Sequence, residues 1–275
     1  AAAFYREAAP FDTNRHERAM ERIAATYDDR FAEANEEAGV LDARPVFIIA
    51  PPCTGAQWIA QVLGAAGGVA RLQRQNALFW MAAAPLGDHD SAALLGELEK
   101  GRSEGLFTQI AHTYLARVGE RVGPDARRVI DPSSLSEMAA GVMGLSLPAA
   151  KFIRLKRNPR DLAWAIYARR FRQGRNWSYH PDDIARVLAC HDLLCDRWDA
   201  LFGARIHTVS YESLHDDPAA TMAAMADFIG VSAEAVTTEA WLRSDALKAD
   251  PVSVHQRAGS RFEPVEAALK RAGRV

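Results

Sequence analysis

The chain has only three cysteines in 275 residues, Cys53, Cys190 and Cys195. Three cannot build a disulfide framework, and an odd count fits a reducing compartment. No apolar run approaches the roughly 18 residues needed to span a bilayer, and the N-terminus lacks the basic-then-apolar order of a signal peptide, so a cytoplasmic location and no membrane partner are expected. Charge of one sign is also missing. A net charge of −2 gives no blanket attraction for nucleic acid, which is not an expected partner, and any anion site must be local. Cys190, His191 and Cys195 suggest a ligand cluster at first sight, but on a helix only His191 and Cys195 share a face, and two ligands do not make a zinc site. No metal is expected.

What is present is an ordinary globular composition, 49% apolar and 25% charged, and a strong alternation of strand and helix patterns. Residues 12 to 38 carry apolar positions at helical spacing, with Asp12 or Thr13 able to cap the start, so 1–44 reads as a helical lead-in. PVFIIA at 45–50 is a short run of the kind buried in a parallel sheet, followed by the loop PPCTGA and a helix over 57–66. Helices are expected near 91–100 and 105–121, and a second strand at RRVI, 127–130, ending at Asp131-Pro132. KFIRLKR at 151–157 is a third strand, broken by Asn158-Pro159 before a helix over 161–171. A long helix at about 183–201, a strand at 205–211, a helix at 218–229 and a basic tail complete the pattern. This predicts a three-layer α/β fold over 45–275, a central parallel sheet flanked by helices, with no repeat or linker inside it. Ligands of such folds sit at the carboxyl ends of strands.

The strand, the tight loop with Gly55 and the following helix make a generic anion cradle of backbone N–H groups and helix dipole. The loop lacks the Gly-Lys-Ser/Thr ending of a Walker A motif and the three glycines of a dinucleotide fingerprint, which counts against nucleotide hydrolysis and hydride transfer. A kinase-like reading suffers further from the absence of a loop lysine and of an evident Mg²⁺ carboxylate.

Three segments resemble the sulfotransferase family, in family order and spacing. PCTGAQW at 52–58 is similar to the family's 5′-phosphosulfate loop, and AAKFIRLKRNPRDLAWAIYARRF at 149–171 to its strand, turn and helix for the donor 3′-phosphate. VSYESLHDDPAATMAAMADFIGV at 209–231 resembles the family's Y-E-D-L segment and the helix ending in F-[LI]-G. The lead-in resembles that of bacterial, tyrosylprotein-type members. The resemblance implies a P-loop-like fold, the donor 3′-phosphoadenosine 5′-phosphosulfate (PAPS, leaving PAP), and sulfuryl transfer to a small-molecule hydroxyl or amine. It implies donor-binding positions at Cys53, Thr54, Gly55, Ala56, Gln57, Trp58, Arg157, Ala165 and Tyr211. The tail VSVHQRAGSRFEP at 252–264 resembles the family's closing segment, and makes Arg257, Gly259 and Arg261 candidates to clamp phosphate.

Several positions depart from the family. Its loop cation falls on Cys53, its loop hydroxyls become Ala56 and Gln57, its 3′-phosphate serine corresponds to Ala165, and its D-K-x-P turn reads Asp131-Pro132-Ser133-Ser134. The tyrosylprotein-type glutamate base would fall near Gln73 and Gln75, neither of which takes a proton at neutral pH. His112 or Asp131 remains as a base. Cys53, at a helix N-terminus beside Arg157, is either a thiolate nucleophile or a small loop filler. Trp58, Phe79, Trp80, Trp164 and Trp177 are core residues or the lining of an aromatic acceptor pocket. Two readings follow: an active sulfotransferase of a kind found in secondary metabolism, or the same fold repurposed for binding, or for elimination, condensation or cyclisation of a natural-product intermediate. A homodimer is compatible with either.

Overall fold

The computed structural model describes residues 10–72, 105–135, 137–169, 171, 175–236 and 252–275. Five parallel strands form its sheet in the order β2-β3-β1-β4-β5: β1 (Pro45–Ile49), β2 (Val69–Arg71), β3 (Arg128–Leu135), β4 (Lys151–Lys156) and β5 (Ile206–Ser210). The chain runs from β1 outward to β2, returns through β3, and continues on the other side through β4 and β5. β1 therefore sits at the point where the strand order reverses, and the crevice at its carboxyl end lies between β3 and β4, where doubly wound sheets bind their ligands. Every residue of β1 is buried, as its run of Val, Phe and Ile predicts.

Among its described residues the lead-in forms two helices rather than one continuous element, α1 (Thr13–Thr26) and α2 (Asp29–Ala34). Asp12 caps α1, as expected. The break comes from Asp28, whose carboxylate accepts the Phe31 N–H and starts a new helix, while the Tyr27 carbonyl turns away to accept from Arg197 Nε at 2.5 Å. Met20, Ile23 and Tyr27 pack into the same core cluster as Phe47 of β1 and Trp198.

Helix α3 (Ala56–Leu63) follows the loop, and α4 (Leu106–Gly119), α5 (Glu137–Ser146), α6 (Pro159–Arg169) and α7 (Pro181–Phe202) follow in turn. After β5 come a short α8 (Ser213–Asp216), α9 (Pro218–Ile229), a 3₁₀ segment Val254–Phe262 and α10 (Glu263–Arg271). Several elements were not expected: α8, the 3₁₀ segment and α10 in what reads as a turn and a basic tail, and, nearer the sheet, β2 and α5. β2 is three residues long, below the length at which period shows, and α5 (EMAAGVMGLS) carries two glycines that weaken its helical signal. Both are required by packing: a Cβ on Gly141 would run into the Trp198 ring, and one on Gly144 into the Phe202 ring. The second expected strand also runs further than Asp131-Pro132, to Leu135. The register slips between the partners Phe47↔Asp131 and Ile49↔Leu135, and an irregularity of this kind accommodates Pro132, which has no N–H for the ladder. The helix expected near 91–100 lies outside the described residues.

Candidate functional site

The loop after β1 is shaped by its own side chains. Cys53 and Gly55 both take positive φ, 66° and 81°, and Gly55 is the N-cap of α3. Thr54 is buried and donates its hydroxyl to the Pro51 carbonyl at 2.7 Å. Gln57, in the first turn of α3, donates to the Pro132 carbonyl at 2.8 Å, tying the loop helix to β3. Gly55 is favoured twice over: its positive φ strains any residue with a Cβ, and a Cβ there would stand 3.2 Å from the Tyr211 ring.

Arg157, one residue beyond β4, joins these parts. Its Nη1 donates to the Cys53 carbonyl at 2.6 Å, and its guanidinium lies 4.3 Å from the centre of the Tyr211 ring. Tyr211 is itself placed by its N–H to the Lys156 carbonyl at 2.7 Å. The ends of β1, β4 and β5 are thereby interlocked around one buried arginine, in the crevice the topology points to. A second cation approaches from the last turn of α6: Arg169 Nη1 lies 3.9 Å from Cys53 Sγ.

The tail returns to this end. Asp161 in α6 accepts the N–H of Ser253 at 2.5 Å, the N–H of His255 at 3.1 Å, and the His255 Nδ1. Burial works against its charge, but those hydrogen bonds outweigh it and hold its pKa below the ordinary carboxylate value. Ala258 and Phe262 then bury among Leu162, Ala163 and Ile166, a cluster against which Cys53 also packs. Tail and loop share one apolar contact region.

A profile of the sulfotransferase family matches residues 45–235. The chain belongs to the sulfotransferase family. A curated Aquifex aeolicus (strain VF5) protein, described as uncharacterized, is 24% identical over 227 residues; the match covers 79% of this chain, and the chain spans 29% of that relative's length. Among solved structures, a sulfotransferase from Alicyclobacillus acidocaldarius is similar with TM-score 0.50 at 17% identity, covering 84% of this chain and 96% of its own. The sulfotransferase domain of the Synechococcus PCC 7002 olefin synthase gives TM-score 0.49 at 17% identity, with 86% and 90% covered.

In this sulfotransferase-family chain, Cys53, Thr54, Gly55, Ala56, Gln57, Arg157 and Tyr211 converge on one loop and its neighbours, while Trp58 packs into the core beside Ile59 and Val62. Ala165 lies half-buried on α6, beside Trp164, which packs edge-on against Phe262 of the tail. Trp177 packs against the same tail cluster. Arg257, Gly259 and Arg261 are exposed, and Gly259 bends the tail with φ 57° and ψ −140°. Neither candidate base is offered to the crevice. Asp131 is buried and accepts from Tyr114 Oη at 3.1 Å, and burial together with that carboxylate pushes the Tyr114 pKa up, so the hydroxyl stays a donor. His112 is on the exposed face of α4, opposite Ala111 and Tyr114, which pack into the core. Thr54 keeps its place but commits its single O–H inside the loop. Gln73, Gln75, Phe79 and Trp80 lie outside the described residues.

Sequence reading missed Arg169, which sits in the quoted ARRF run but whose direction only the finished helix reveals. Among the described residues no group of three or more His, Cys, Asp or Glu could hold a metal, and no helix is long and apolar enough to cross a membrane.

Proposed function

We propose that this chain transfers a sulfuryl group from PAPS to a hydroxyl or amine of a small-molecule acceptor. The observation that carries the reading is Arg157 bonded to the Cys53 carbonyl, because it fixes the turn that in this family meets the donor's 3′-phosphate against the loop that meets its 5′-phosphosulfate. Sulfuryl transfer asks little covalent work of the protein. It needs in-line positioning, positive charge at the leaving phosphate oxygen and a proton acceptor. Backbone N–H groups of the loop and the α3 dipole supply part of the charge. Arg169 brings a guanidinium to Cys53, the position where the family resemblance places a loop cation, so the charge lost from the loop sequence returns from a neighbouring helix. Arg257 and Arg261 extend the cationic rim along the exposed tail.

The test is release of 3′,5′-adenosine bisphosphate from PAPS in the presence of a panel of phenols, alcohols and amines. Acceptor-dependent release that falls at least about tenfold in Arg169→Ala supports the assignment, on the scale of removing one preorganised charge.

The commitment of the Thr54 hydroxyl inside the loop, with Cys53 in place of a cation, favours a second reading. In it the fold is retained without donor chemistry, as a binding module or an enzyme of elimination, condensation or cyclisation. Cys53→Lys combined with Ala165→Ser decides between them: it creates PAP binding from none if the second reading holds, and changes an existing affinity if the first does.

A further inference from the structure

A second chemically loaded cluster lies on α7, on a cavity that also touches Pro51 and Arg157. His191 is 5% exposed and has a partner at each ring nitrogen: Nδ1 is 3.2 Å from Glu137 Oε2, and Nε2 is 3.4 Å from Cys195 Sγ. Glu137 opens α5, far away in sequence, while His191 and Cys195 are four residues apart on one helix face. The arrangement of sulfur, imidazole and carboxylate in line is that of an activated nucleophile with its base and the group that orients the base. Because Cys195 and Glu137 bind opposite nitrogens of one ring, they cannot share a metal ion.

Electrostatics agree with the geometry. Burial opposes charge on His191, but Cys195 and Glu137 outweigh it and lift the imidazole pKa to about 10. The same carboxylate is held below its ordinary value against its own burial, chiefly by His191. Arg154, 2% exposed, also senses Cys195: burial works against its charge, and Cys195 ahead of Asp199 and Asp196 counters it. Its Nη atoms pair with those two aspartates, while its buried Nε has no hydrogen-bond acceptor among the described residues. Burial pushes the thiol of Cys190, five residues before Cys195, up to about 11.

His191 and Arg154 both line a cavity of about 280 Å³, together with Asp196 and Arg274 and with Pro51 and Arg157 of the loop crevice. Its volume admits several water-sized molecules. Cys195 itself is 1% exposed and does not line the cavity, so a reagent reaches its sulfur only past His191 and must be small.

We propose that Cys195 is the nucleophilic sulfur of a Cys195–His191–Glu137 relay and is oxidised by small hydroperoxides such as hydrogen peroxide. The Cys195 thiol passes its proton to His191 as the sulfur attacks one peroxide oxygen. An S–O bond forms as the O–O bond breaks, and the departing hydroxide takes the His191 proton and leaves as water. The sulfur is oxidised by two electrons to a sulfenic acid and the peroxide is reduced.

The experiment treats the folded full chain with dilute hydrogen peroxide, traps sulfenic acid with a cyclic 1,3-dione, and quantifies all three cysteine peptides by mass spectrometry. Cys195 is expected to be labelled at least about tenfold faster than Cys190, the internal control for an unactivated buried thiol. Labelling should fall to the Cys190 rate in His191→Gln and partly in Glu137→Gln, with circular dichroism unchanged. Labelling of Cys195 no faster than Cys190 overturns the proposal, as does undiminished labelling in a folded His191→Gln. Should that variant not fold, the wild-type ratio and Glu137→Gln decide.

Discussion

The loop after β1 and the tail over α6 face the same end of the sheet, yet they use their polar groups in opposite ways. In the loop, the Thr54 hydroxyl, the Gln57 amide and the Arg157 guanidinium are all bonded to backbone carbonyls of the protein itself. In the tail, the anchoring is done by Asp161 and by buried Ala258 and Phe262, leaving Arg257 and Arg261 exposed. The difference separates shape from charge. The loop keeps a cradle whose side chains hold its own form, which under the proposed function leaves its backbone to meet the anion; Arg257 and Arg261 stay in solvent on the neighbouring tail.

The strongest way to break this comparison is Arg157→Ala. Losing a charge-assisted hydrogen bond of ~1.5 to 3 kcal/mol should weaken binding of 3′,5′-adenosine bisphosphate on the order of tenfold to a hundredfold and loosen the loop. Calorimetry with parallel hydrogen exchange of residues 51–57 checks both. Gly55→Ala attacks shape alone: it forces a Cβ into positive φ against Tyr211, and should cost about 1 to 2 kcal/mol in denaturant unfolding.

Asp161→Asn attacks the tail anchor and should cost about 1 kcal/mol at neutral pH. Because the folded-state pKa of Asp161 is lowered, its contribution is present above the ordinary carboxylate value and disappears as pH falls through the lowered one. Thermal melts of wild type and Asp161→Asn should therefore converge in acid; parallel curves down to low pH would contradict the anchor. The smallest effect is expected from Arg257→Ala or Arg261→Ala, about threefold in nucleotide affinity and fading with added salt, as for exposed charges.

The elements that position the site were legible because their signals are local. β1 reads as strand from five consecutive buried residues, and Asn158-Pro159 sets the start of α6 within two residues. The site was less legible because its bonds are made between segments. That Arg157 grips the Cys53 carbonyl, that Arg169 reaches the Cys53 sulfur, and that Glu137 completes the His191–Cys195 pair all depend on separations of 54 to 116 residues, which no periodicity encodes. Asp131 and Thr54 read as open groups in the sequence, since nothing in a string shows that Tyr114 or the Pro51 carbonyl has already claimed them.

The central claim, that a donor-nucleotide site survives at the end of β1, is tested most directly by calorimetric titration of the purified chain with 3′,5′-adenosine bisphosphate at moderate salt. The account predicts micromolar binding that Arg157→Ala weakens at least about tenfold. No heat up to millimolar nucleotide would contradict it and leave the crevice to a different ligand.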